Sequence, residues 1–220
     1  MTQFDFDPNA ISDEQVNFIR KSVTDPKSRT TNTTQNFSGT GVQTEFQVTN
    51  ATSFQFVNSV TVGGVAQVYG TDYTASFTGA NRGKITFTTA PADGAAIVVD
   101  YDYGDSCIAY EGFPRFDLSR GSYPRIAVSY MFPSEAISAS NMVLQTEARI
   151  TIMVYGPNST EINNLIKEIW DAYLPAYKSF YYLRVVWPVN VADMVPTEDK
   201  TGDMIAKAIE LRAPFNIKKL

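Results

Sequence analysis

The chain contains no histidine, a single cysteine and no long apolar run, and each absence removes a class of function. Without histidine there is no Ser–His or Cys–His catalytic pair, and most zinc arrangements lose a ligand type. The lone Cys107 excludes an internal disulfide framework. It lies in a boundary segment with no evident base, so it reads as an inert thiol. No stretch approaches the roughly 20 apolar residues that a membrane-spanning helix needs. The opening MTQFDFDP is acidic and lacks the basic-then-apolar order of a signal peptide. A soluble protein made in a reducing compartment is therefore expected, and the Asn-x-Ser/Thr triplets at Asn32, Asn36, Asn50 and Asn158 carry no weight as glycosylation sites. Basic clusters are also missing apart from Lys218 and Lys219. With 18 basic against 23 acidic residues the net charge is −5, so the surface should repel polyanions rather than gather them.

What is present is enough apolar residue, 44% of 220, to bury one large core or two small ones. Three regimes follow one another. Ile11 to Val23 reads as a helix, with Ser12 as cap, Gln15 closing a capping box, and Ile11 and Val16 as a hydrophobic staple. Its apolar stripe, Val16, Ile19 and Val23, is narrow and needs something to dock on. From about Thr30 to Gly104 the chain is rich in Thr, Gly, Val and aromatics and contains no leucine. Short alternating runs, Thr44 to Val48, Asn58 to Val62, Val65 to Val68, Asp72 to Ala75, Lys84 to Phe87 and Ala96 to Tyr101, are separated by turn residues. Gly63-Gly64 is a two-residue hairpin signal. An all-β sandwich or barrel follows, with Phe46, Val48, Val60, Val62, Ile85, Phe87, Ile97 and Val99 as its core.

The third regime, from Asp105, predicts a strand at Tyr123 to Val128 and another at Ala148 to Tyr155. Then comes the clearest local signal of the chain, Ile162, Leu165, Ile166, Ile169, Trp170, Tyr173 and Leu174 at helical spacing. Asn158 or Ser159 caps this helix and Pro175 stops it. Leu183 to Trp187 reads as a strand ending at Pro188. Met204 to Leu211, or a stretch shifted toward Phe215, fits neither period well and is assigned as a strand, because a sheet that buries the helix needs another member. The domains expected are thus an N-terminal helix (1–27) packing on the C-terminal part, an inserted β domain (28–104) and an α+β domain (105–220) consisting of a small sheet with a packed helix.

No constellation for catalysis emerges, and the chain is expected not to be an enzyme or to need a cofactor. Asp100, Asp102, Asp105 and Glu111 approximate the spacing of a calcium loop, but that loop needs glycine sixth, where Asp105 stands. Acid pairs such as Asp100 with Asp102, or Glu198 with Asp199, are equally what solvated strands and loops carry. The aromatics are more suggestive. Phe180, Tyr181, Tyr182 and Trp187 cluster after the helix, and Tyr130, Met131 and Phe132 follow the first strand of the third regime. Part of this group fills a core; Tyr130, Met131, Phe132, Phe180, Tyr181 and Tyr182 are the candidate interface residues, since such types are enriched at the centres of protein contacts. The segments Met131 to Met142 and Val189 to Thr201 read as long loops.

Two resemblances attach to these patterns. SVTVGGVAQVYGTDYTAS…GKITFTTAPADGAAIVVDY, about a third of the chain, resembles small β-modules scattered through structural proteins of tailed bacteriophages and related archaeal viruses. Further on, Tyr123, Pro124, Ile126 and Val128, then Ile150, Ile152 and Val154, then the helix from Ile162 and the final IELRAPFNI, look like the tail-terminator or tail-completion proteins of tailed phages. The second resemblance implies a virion protein of the neck and tail, assembled in the host cytoplasm. It further implies a hexameric ring that caps the tail tube and joins it to head connector or adaptor proteins, passing DNA without binding it specifically and touching no membrane. The β domain then interrupts the compact family pattern as an insertion. The alternative is a carbohydrate- or receptor-binding structural module, with Tyr69, Tyr73 and Tyr101 lining its binding face.

Overall fold

The computed structural model describes residues 8–77, 79–112, 118–131, 138–139, 143–176, 178, 180, 186–194 and 204–218. Over these the chain is α+β, mostly β-sheet with two helices. It divides into two compact units, Lys27–Cys107 and a second composed of Met1–Pro26 with Ile108–Leu220. The helix α1 (Pro8–Ser22) therefore shares a unit with residues that follow the β insertion. α1 starts earlier than the Ser12 signal suggests, with Pro8 at its first position, where a missing N–H costs nothing. Gln15 consequently lies mid-helix and fully buried rather than closing a cap.

Lys27–Cys107 holds β1 (Thr31–Ser38), β2 (Glu45–Gln47), β3 (Phe54–Val62), β4 (Val65–Ala66), β5 (Tyr73–Ala75), β6 (Lys84–Phe87) and β7 (Ala96–Tyr103). They form two antiparallel sheets, ordered β1-β7-β3-β4 and β2-β6-β5. A ring contact ties the sheets together, Phe37 to Phe46 at 5.5 Å, and Phe46 packs edge-on to Phe87 within the second sheet at 5.7 Å. Gly63 and Gly64 both have positive φ, the requirement of a tight hairpin that leaves Val62 opposite Val65. At this turn end Val62 is only half-buried, whereas the other seven expected core residues are buried. β3 begins four residues before the expected strand. Register shifts against β7 bury Phe54, Gln55, Phe56 and Val57 in succession, which erases the period-2 signal there.

The second unit continues with β8 (Ala109–Glu111), β9 (Arg125–Met131), β10 (Ser138–Ala139), β11 (Val143–Gly156), α2 (Ser159–Ala176), β12 (Trp187–Met194) and β13 (Ile205–Lys218). Its sheet runs β12-β13-β11-β9-β8, with β10 beside β11; only β8 and β9 pair parallel. Asn158 caps α2, its Oδ1 accepting from the Thr160 and Glu161 N–H groups at 3.0 and 3.4 Å. Ile162, Leu165, Ile166, Ile169 and Tyr173 are buried, and Pro175 falls within the last turn. Leu174, counted in the stripe, is exposed; twelve residues beyond Ile162 it has rotated about 120° off the buried face.

α2 packs on β11, β12 and β13, and α1 packs on β8, β9 and α2. Between them the helices cover the sheet face carrying Ile126, Val128, Ile150, Ile152, Val154, Ile209 and Leu211, all buried. Val16 and Ile19 of α1 are buried in this same unit. Specific contacts fix the helix pair. Tyr173 Oη donates to Gln15 Oε1 at 2.8 Å, the Thr24 N–H donates to Glu168 Oε2 at 2.7 Å, and Arg20 Nε donates to the Ala109 carbonyl at 2.9 Å.

Two loop expectations change. Val189 to Thr201 is not all loop: β12 runs from Trp187 through Pro188 to Met194. Proline is tolerated because β12 is an edge strand with a register shift at Pro188/Asn190, where no ladder donor is required. Of the strand expected at Leu183 to Trp187, residues 183–185 lie outside those described, and Trp187 opens β12 instead of closing a strand before Pro188; most of Met131 to Met142 also lies outside them.

Candidate interaction surface

The sheet face away from the helices is built by alternation. Where β11 turns Ile150, Ile152 and Val154 to the helices, Arg149, Thr151, Met153 and Tyr155 face the other way. One end of this second face is closed by a small cluster of Tyr123, Ala127, Tyr155 and Ala206, with Tyr110, Leu118, Met153 and Met204 packed around it. The Tyr110 and Tyr155 hydroxyls are hydrogen-bonded there.

Among the described residues the other end is open. Register places Trp187, Arg212, Arg149 and Met131 side by side in one row across β12, β13, β11 and β9. Met131 is 67% exposed and Trp187 37%. Directly opposed arginines repel, so the row needs nearby acids. Arg212 Nε lies 3.5 Å from Glu147 Oε1 and 3.4 Å from Glu210 Oε1, and Arg149 Nε lies 3.9 Å from Glu147 Oε1. Such solvent-screened pairs contribute little stability singly, about 0–1 kcal/mol. Arg212 Nε is itself buried and makes no hydrogen bond among the described residues.

Of the candidate interface residues, Met131 alone is placed on this open face. Tyr130 precedes it and so turns to the helix-covered side, half-buried opposite Ile150. Phe180 is buried in the core, stacked on Tyr173 at 5.5 Å and edge-on to Phe18 at 4.9 Å. Phe132, Tyr181 and Tyr182 lie outside the described residues. Arg149 and Arg212 escape sequence reasoning because each looks like an ordinary polar alternate on its own strand. Only the register between strands brings them together.

Most of the remaining candidates lie in the β unit. Asp100 and Asp102 stand on the outer face of β7, where Asn32 Nδ2 donates to both, at 2.6 and 3.0 Å. Asn58 Nδ2 and Thr30 Oγ1 also donate to Asp102, at 2.8 and 2.7 Å. These carboxylates are engaged by neighbouring amides and a hydroxyl. Glu198 and Asp199 lie outside the described residues. Tyr73 and Tyr101 are buried, so they do not line an exposed binding face. Burial pushes the Tyr73 phenol up to about 12. A hollow of about 670 Å³ opens beside Phe77, Gln47 and Arg82. Its polar side chains are anchored to backbone carbonyls, Gln47 Nε2 to Arg82 and Arg82 Nε to Phe54.

No helix among the described residues is long and apolar enough to cross a membrane. No protein-family model and no curated protein matches the chain.

Proposed function

We propose that the chain is a structural subunit of a tailed-virus particle. In this reading it is a tail-terminator or tail-completion protein that forms a hexameric ring at the neck, caps the tail tube and joins it to the head connector. The observation that carries the reading is the row Trp187, Arg212, Arg149 and Met131 on an open sheet face. Tryptophan, arginine and methionine are the types enriched at the centres of protein contacts, and one row of a sheet face offers them to a neighbour together. The order of elements supports the same reading. α1, β9, β11, α2 and β13 follow one another as the terminator-like pattern requires, with the β unit inserted between α1 and β9. A chain of net charge −5 suits a channel through which DNA slides without sticking.

The test is electron microscopy and sedimentation of the purified chain, alone and with tail-tube protein. Rings are expected in at least the second sample, and Met131→Glu abolishes them while leaving the melting temperature within a few degrees of the parent. A chain that stays monomeric with and without tail-tube protein overturns the reading.

A further inference from the structure

One cation of the β unit has no acid to answer it. Acidic residues outnumber basic ones 23 to 18 in this chain, yet none of those described pairs with Arg82. Its Nε donates to the Phe54 carbonyl at 2.8 Å, and its terminal nitrogens have no partner among the described residues. The backbone holds the residue as firmly. The Arg82 N–H donates to the Gly79 carbonyl at 3.2 Å, and the Arg82 carbonyl accepts from Gln47 Nε2 at 2.7 Å. A Cβ on Gly83 would come within 2.8 Å of Ala51 Cα, so glycine there lets the chain close on Ala51 just before β6. The guanidinium fixed in this way is half-buried and lines the hollow of about 670 Å³. Ala51, Phe77 and Ala80 give that hollow its apolar surface, Gln47 and Thr52 its neutral polar groups, and no carboxylate lines it.

We propose that this hollow binds a single acidic sugar unit, a hexuronate, with its carboxylate on Arg82. Charge selects the carboxylate. A guanidinium offers two parallel N–H groups that match its two oxygens. One cation in a lining without other charges balances one negative charge, and a chain of net charge −5 disfavours polyphosphates and nucleic acids. The neutral groups select the sugar. The Thr52 hydroxyl and Gln47 Oε1, neither engaged among the described residues, are partners for sugar hydroxyls. Ala51, Phe77 and Ala80 meet the C–H face of the ring. A fatty acid would gain nothing from Thr52 and Gln47. The volume falls in the ordinary range of small-molecule sites, about 300–1,000 Å³. Every lining residue belongs to the β unit, so the site does not depend on the ring reading.

NMR titration of the ¹⁵N-labelled full chain with glucuronate, glucose and N-acetylglutamate tests this. Glucuronate at millimolar concentration should give saturable shifts of the Gly79, Ala80 and Arg82 amides and of the Arg82 Nε–H signal. Glucose and N-acetylglutamate should each bind about tenfold or more weaker, the first for want of the charge and the second for want of the hydroxyls. Arg82→Gln should lower glucuronate to the level of glucose. Ala80→Leu fills the hollow while leaving Arg82 on the Phe54 carbonyl, and it should weaken glucuronate binding as well; amides remote from the hollow report whether either variant is folded. Absence of saturable shifts at these residues overturns the proposal, as does glucose binding as tightly as glucuronate or undiminished binding in folded Ala80→Leu. N-acetylglutamate binding as tightly as glucuronate overturns it too, since the hollow would then take the acidic side chain of a peptide.

Discussion

At the scale of single residues, two buried tyrosines make the sharpest predictions. Tyr73 is buried in the β unit and its phenol is pushed up to about 12 from an ordinary value of 10.0. The folded state therefore favours the neutral phenol. That contribution is complete below about pH 10 and is lost as pH rises toward 12. Thermal melts across this window should fall more steeply for the parent than for Tyr73→Phe, and tyrosinate absorbance should appear late. Tyr173 is different because it has a partner. Its hydroxyl donates to Gln15 Oε1, while Gln15 Nε2 is buried without a hydrogen bond among the described residues. Its phenol is also held well above the usual range, by burial first and then by the nearby Glu14 and Tyr130. Tyr173→Phe leaves the whole Gln15 amide unpaired and should cost about 1–3 kcal/mol. Adding Gln15→Leu removes both polar partners and should recover most of the loss, as read from a double-mutant cycle in urea.

At the scale of elements, α2 shows how a cap and a stripe cooperate. Asn158 satisfies two N–H groups of the first turn, and Asn158→Ala should cost about 1 kcal/mol. Ile169→Ala opens a cavity under the helix and should cost about 2–5 kcal/mol; chemical denaturation separates the two magnitudes. This helix is legible in the sequence because a single apolar face meets a single sheet. β13 is harder to read because both its faces are partly covered. Ala206 and Ala208 are buried on one side, Ile209 and Leu211 on the other, and Lys207 reaches the rim to pair with Asp193 at 3.1 Å. β1 leaves almost no trace, since Phe37 is its one large apolar residue. The candidate surface is the least legible of all. A row across four strands is a property of register, and register has no local signature when Arg149 and Arg212 stand 63 positions apart.

At the scale of the whole molecule, the two units have separate cores. Lys27–Cys107 contains two of the three β sheets and the Phe37–Phe46 ring contact that joins them. Expressed alone, it should fold and give a dispersed NMR spectrum with a cooperative melt, because its apolar residues are buried against one another. A collapsed, poorly dispersed spectrum would show that it needs the remaining chain.

The separation of α1 from its partners also has a consequence in time. Gln15 and the Tyr173 that binds it are 158 residues apart. At about 5–20 residues per second, a ribosome needs about 8–32 s to connect them. During that interval the β unit emerges whole and can close, while Ile11, Val16 and Ile19 wait with no sheet to cover them. The insertion is thus a delay built into synthesis: α1 is made before the whole β unit yet is among the last elements to find its place.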